Sequence, residues 1–128
     1  MQKAYSIFLD DIRVPSDVTW VKLPRKNYLI VRSYDLFVKT IKHKGLPEFI
    51  TFDHDLSDQH YGHGLNNDEI KYDQYTEKTG YDCAKWLVSY CIDNNLDLPD
   101  YMAHSLNPVG SKNIVTYLER YSEVRKGK

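Results

Sequence analysis

The sequence predicts one α/β domain, a three-layer α/β/α sandwich around a short, mostly parallel sheet of about four strands. Three observations carry this reading. Four short, unbroken apolar runs each end in polar residues, as strands buried on both faces do. Helical patterns lie between and after them, so strand and helix alternate as in right-handed βαβ crossovers. The length, 128 residues, is ordinary for one domain and lets roughly two-thirds of the unfolded surface be buried without staples.

The first strand is Tyr5 to Leu9 (YSIFL), which runs into Asp10-Asp11. Residues 14–27 hold Pro15 and Pro24 and are expected to form an irregular crossover. The second strand is Tyr28 to Val31 (YLIV), ending at Arg32-Ser33. Ser33 is placed to cap a helix to about Lys44, with Phe37, Val38 and Ile41 inward and Gly45 as terminator. The third strand is Phe49 to Phe52 (FITF), followed by Asp53-His54-Asp55. Residues 56–78 form a long polar loop with His60, Tyr61, His63, Tyr72 and Tyr75, to be read as a lid or as an insertion. Thr79 can cap a second helix through about Asn94, with Cys83, Ala84, Leu87, Val88 and Cys91 as its apolar stripe. The fourth strand, Tyr101 to Ala103, leads into His104-Ser105. Asn107-Pro108 then opens a third helix carrying Ile114, Val115 and Leu118.

Composition narrows the function classes. The net charge of about −1 argues against a protein that coats duplex DNA, which usually carries a basic excess. A nucleotide or an RNA end bound at one point remains compatible. Cys83 and Cys91 lie two helical turns apart, too far for a disulfide in an unbroken helix, so both read as buried thiols in a reducing compartment. The opening MQKAYSIFLDD has too short an apolar run for a signal peptide, and no stretch approaches the ~20 apolar residues of a membrane span. The expected address is cytoplasmic. The sequence leaves the oligomeric state open.

In open parallel sheets, ligands bind beyond the carboxyl ends of the strands. The unusual residues gather there: Asp10, Asp11 and Arg13 after the first strand, Asp53, His54 and Asp55 after the third, His104, Ser105 and Asn107 after the fourth. The carboxylates would repel one another unless a cation neutralised them, and an all-oxygen donor set suits Mg²⁺ or Mn²⁺. Each Asp taken alone could equally be a turn or cap residue. His54 and His104 could act as acid and base on a phosphate across a cleft, or be structural. His60 and His63 make an HxxH spacing, a weak metal signal. The segment His104 to Gly110 joins a strand to a helix N-terminus, which favours an anion, with Ser105 and Asn107 adding side-chain bonds. Arg13 could clamp a phosphate or pair with an Asp. Asp82 could complement the helix dipole or reach the site. The eleven tyrosines include loop residues that could stack on a base.

This pattern resembles the receiver domains of two-component signalling, whose acidic pair and phospho-accepting Asp hold Mg²⁺ and whose fourth strand ends in a Ser or Thr, here Ser105. No fifth strand with a catalytic Lys is found, and His54 and His104 are not receiver features. The closer resemblance is to the cyclic-phosphate-processing receiver-like domains, divergent members of the receiver (flavodoxin-like) fold. It rests on LDDIRVP (9–15), FDHDL (52–56), TGYDCAKWL (79–87) and HSLNPVG (104–110). The resemblance implies a site of Asp10, Asp11, Asp53, His54, Asp55, His104 and Ser105.

The function expected is a metal-assisted phosphodiesterase opening a cyclic phosphate of a nucleotide, an RNA end or a cyclic oligonucleotide messenger. Asp10, Asp11 and Asp53 would hold the metal. His54, His104, Asp55 and Ser105 would be catalytic, and Arg13, Ser105, Asn107 and Asp82 would bind substrate. The alternative is a non-catalytic, receiver-like module that binds a nucleotide or phosphate, or accepts a phosphoryl group on Asp53 or Asp55.

Overall fold

The computed structural model describes residues 4–56 and 79–126. The expected loop at 56–78, with its histidines and tyrosines, lies outside them but for Leu56.

Among the described residues, four strands form, β1 (Ser6–Leu9), β2 (Tyr28–Val31), β3 (Phe49–Phe52) and β4 (Asp100–Ala103). All three pairings are parallel, in the order β2-β1-β3-β4, as in receiver-like sheets. Three helices follow the expected bounds: α1 (Tyr34–Lys44), α2 (Gly80–Asn94) and α3 (Pro108–Lys126).

Local chemistry sets the helix ends. The Ser33 hydroxyl accepts from Leu36 N at 3.2 Å, and Gly45 stops α1 at φ 88°, where a side chain would be strained. Thr79 and Asp82 form a reciprocal capping box at the start of α2. Asn107 Oδ1 accepts from Gly110 N at 3.0 Å and opens α3. Caps of this kind are each worth about 1 kcal/mol.

The sheet's two faces are covered differently. Ile7, Leu9, Val31, Ile50 and Phe52 alternate onto one face and join Phe37, Ile41, Cys83, Leu87, Ile114 and Leu118 in one buried cluster. Fully burying such a side chain contributes about 1.5–3 kcal/mol. The expected burial of both cysteines holds. Ser6, Phe8, Tyr28, Phe49 and Thr51 point the other way, onto a face covered by the β1–β2 crossover. There Lys26 lies 5.8 Å over the Phe49 ring, and Val18 is buried. That crossover is irregular apart from a 3₁₀ turn at Pro15–Asp17.

Handedness explains the asymmetry. The step from β1 to β2 runs one way across the sheet, and the later steps run the other way. Right-handed connections in opposite directions must lie on opposite faces. The connecting helices α1 and α2 therefore share one face, and α3 packs there too, with Ile114 and Leu118 in the same buried cluster. The third layer of the sandwich is irregular chain, because the one connection on that side contains Pro15 and Pro24.

Candidate functional site

The order of the strands reverses at the β1/β3 junction, where parallel sheets open a crevice at their carboxyl ends. Asp10 and Asp11 leave β1 there, and Asp53 leaves β3. Carboxylate oxygens of the three lie within 4.8 Å of one another.

Asp10 is fully buried and held from three sides. Its Oδ1 accepts the N–H groups of Ile12 (3.0 Å) and Arg13 (2.9 Å), and its Oδ2 is 2.9 Å from His104 Nε2. Burial pushes its pKa up, but the bonds from His104 and the two amides outweigh this and hold it below the usual carboxylate range. Asp53, 4% exposed, is driven the other way. Burial and the nearby charges of Asp10 and Asp11 push it up to about 6, against a smaller pull from His104 and the Ser105 hydroxyl. The cluster therefore holds one firmly ionised carboxylate beside one that readily keeps a proton. An all-oxygen, mutually repelling set of this kind fits a hard divalent cation.

His104 is not at a cleft wall, as two imidazoles facing across a cleft would require. It is fully buried, stacked on Phe8 with ring centroids 4.5 Å apart. Its Nδ1 is 2.8 Å from Thr51 Oγ1. Both ring nitrogens are thus satisfied, Nε2–H donating to the Asp10 carboxylate and Nδ1 paired with the Thr51 hydroxyl. His54 is partly exposed, and its Nδ1 is 2.9 Å from Asp55 Oδ1. Asp55 stands apart from the three-carboxylate cluster and faces solvent.

Ser105 and Asn107 sit at the start of α3. Ser105 Oγ accepts from Asn107 N at 3.0 Å, while Asn107 Oδ1 serves as the cap. The Arg13 guanidinium is 3.9 Å from Asp10 Oδ2 and lies 5.2 Å over Trp20. Asp82 Oδ2 accepts from Thr79 N at 2.8 Å, capping α2, and its Oδ1 is 3.6 Å from Lys85 Nζ.

Other residues support the site without having stood out in the sequence. Thr51 orients His104. It is a polar residue in a fully buried strand, and such a group needs a partner. Arg32, at the same rim after β2, donates to the carbonyl of Arg13 at 2.7 Å and braces the β1 turn. Trp20 Nε1 donates to the His104 carbonyl at 2.7 Å. Gly80 and Gly110 allow close approach: a Cβ at Gly80 would lie 1.9 Å from the Asp53 carbonyl oxygen, and one at Gly110 2.3 Å from His54 Cγ. Both helix starts thus press against the Asp53-His54 turn.

An acidic cluster at the switch point of a 2-1-3-4 parallel sheet, with a Ser after β4, defines a receiver-like α/β domain. The model of the cyclic-phosphate processing receiver domain matches residues 5–120, and the chain belongs to that family. It is thus a receiver-like domain associated with cyclic-phosphate processing. Neither the curated proteins nor the solved structures contain a match to it. Among the described residues, no helix is long and apolar enough to cross a membrane.

Proposed function

We propose that the protein is a cation-assisted phosphodiesterase that hydrolyses a cyclic phosphate of a nucleotide or RNA end. The observation that carries this reading is the carboxylate trio, with Asp53 raised to about 6 by burial and by Asp10 and Asp11. Asp10, Asp11 and Asp53 would hold Mg²⁺ or Mn²⁺, which supplies charge neutralisation at the phosphoryl oxygens.

The remaining work falls to the chain's own groups. Asp55 orients the His54 ring through Nδ1, which leaves Nε2 to exchange a proton with the reacting group. Hydrolysis adds a water oxygen to phosphorus and breaks one ring P–O bond. The leaving sugar oxygen takes a proton, and His54 is the donor in reach of the rim. The Ser105 hydroxyl and the N-terminus of α3 bind non-bridging oxygens. Arg13 clamps the phosphate from the β1 side. His104 is a positioning residue, acting through Asp10, and Asn107 and Asp82 act by fixing the starts of α3 and α2.

The test is turnover of 2′,3′-cyclic nucleotides, cyclic-phosphate RNA ends and cyclic dinucleotides with Mg²⁺ or Mn²⁺, beside Asp53→Asn and His54→Ala. The expected result is cleavage of one class, abolished by EDTA and by Asp53→Asn and reduced about 10²–10⁴-fold in His54→Ala. Cleavage that persists in EDTA and in Asp53→Asn would sink the cation reading. Tight binding with no cleavage would move the assignment to a nucleotide-binding module.

A further inference from the structure

The β1–β2 crossover turns basic once it leaves the acidic rim. Residues 12–28 hold Arg13, Lys22, Arg25 and Lys26 against one acid, Asp17, in a chain whose net charge is −1. The segment surrounds an open cavity of about 940 Å³, whose lining includes Trp20, Lys22, Arg25, Lys26 and Tyr28. Lys22 and Arg25 are exposed and have no ion-pair partner among the described residues, while Lys26 is 3.7 Å from Glu48. Trp20 is 36% exposed.

This cavity adjoins the acidic site. Trp20 lines it and bonds to the His104 carbonyl, and Arg13 bridges from Asp10 to the Trp20 ring. A lone cyclic mononucleotide has one phosphate, and the rim groups already account for it. It offers nothing to three further bases beyond Trp20. A strand that ends in a cyclic phosphate carries further phosphates on its 5′ side, and bases that stack on aromatic faces. A basic groove with an exposed aromatic ring is the usual means of holding such a single strand.

We propose that the crossover is a single-strand cleft leading into the site, and that the substrate class is an oligoribonucleotide end rather than a free cyclic mononucleotide. The inference rests on the phosphodiesterase reading for its chemistry, but its binding half is tested separately. The probe is a fluorescein-labelled short oligoribonucleotide ending in a 2′,3′-cyclic phosphate, titrated by anisotropy with Mg²⁺ present. Lys22→Ala/Arg25→Ala/Lys26→Ala is compared with Lys39→Ala/Lys42→Ala/Lys44→Ala, an equal charge change on α1 across the sheet.

The crossover variant is expected to bind at least about tenfold more weakly, with a salt slope lower by about two, while the α1 variant keeps wild-type affinity. In turnover, wild type prefers the oligonucleotide over the cyclic mononucleotide by about tenfold in kcat/KM, and the crossover variant loses that preference. No binding, equal loss in both variants, or no preference between the substrates would overturn the cleft. Binding that follows the crossover charges without any turnover would count against hydrolysis and leave the cleft standing.

Discussion

The two faces of the sheet divide the labour of the molecule. The helix-covered face is apolar throughout, with Ile7, Leu9, Ile50, Phe52, Phe37, Leu87, Ile114 and Leu118 all at zero exposure. The crossover-covered face carries Ser6, Asp10, Thr51, Asp53 and His104, all five of the buried polar or charged residues described. Ser6 Oγ even lacks a hydrogen-bond partner among the described residues. Burying polar groups costs free energy unless every group is satisfied, and a packed apolar layer contributes it. One face therefore holds the fold together, and the other spends part of that stability on a preformed charge cluster.

The largest test of this division is Phe37→Ala. The side chain is fully buried against Phe52 and Trp86, so its loss should cost about 3–5 kcal/mol in urea denaturation. Cation affinity of the folded protein, measured by calorimetry, should not change. A matching drop in affinity would mean that the two faces are not separable.

Asp53→Asn tests the other face, with the opposite sign. The folded carboxyl holds its proton to about pH 6 and the unfolded one to about 3.8. Its contribution is thus complete below pH 3.8 and lost as pH rises to 6. In EDTA at pH 7 the variant should be about 2–3 kcal/mol more stable than wild type, and the gain should vanish near pH 4. Asp10, held below its usual value, loses its contribution only as pH falls under 3.8, so the two windows do not overlap. Saturating Mg²⁺ should remove or reverse the gain, because only wild type keeps all three carboxylates. A pH-independent difference would show that Asp53 is not raised by its neighbours.

The smallest expected effect sharpens the comparison most. Thr51→Val keeps the shape of the strand and removes the hydroxyl paired with His104 Nδ1, at a cost of about 1–2 kcal/mol in thermal or urea unfolding. It should also weaken cation binding severalfold, although Thr51 is not in the carboxylate trio. Unchanged binding would mean that Asp10 needs no help from His104 and Thr51.

Much of this was legible in the residues themselves. Ser33, Thr79 and Asn107 signal helix starts by chemistry confined to a few neighbours, and each proved to be a cap. Asp10, Asp11 and Asp53 converge because parallel strands place their carboxyl ends together, while Asp55 turns to solvent. The sheet was readable for the same reason, since each strand is one unbroken apolar run. What stayed hidden depends on pairs distant in sequence. Trp20 and His104 are 84 positions apart, and nothing near Trp20 names its acceptor. His104 stayed open between an acid or base and a structural ring, because a sequence does not show that Asp10 and Thr51 flank it. Alternation suggested the α/β/α layers, and Pro15 and Pro24 marked 14–27 as an irregular crossover. Only the strand order reveals that the described helices fall on one side. Gly80 and Gly110 carry meaning only once the atoms their missing Cβ would strike are known.

The sealed imidazole of His104 also gives the protein an internal reporter. A ring proton on Nε2, shut away from solvent between Phe8 and Asp10, should exchange slowly enough to give its own downfield resonance. Because Asp10 is at once its acceptor and a member of the acidic trio, any charge arriving at that carboxylate should shift the line. Ion occupancy would then be readable in magnetic-resonance spectra before any substrate is known.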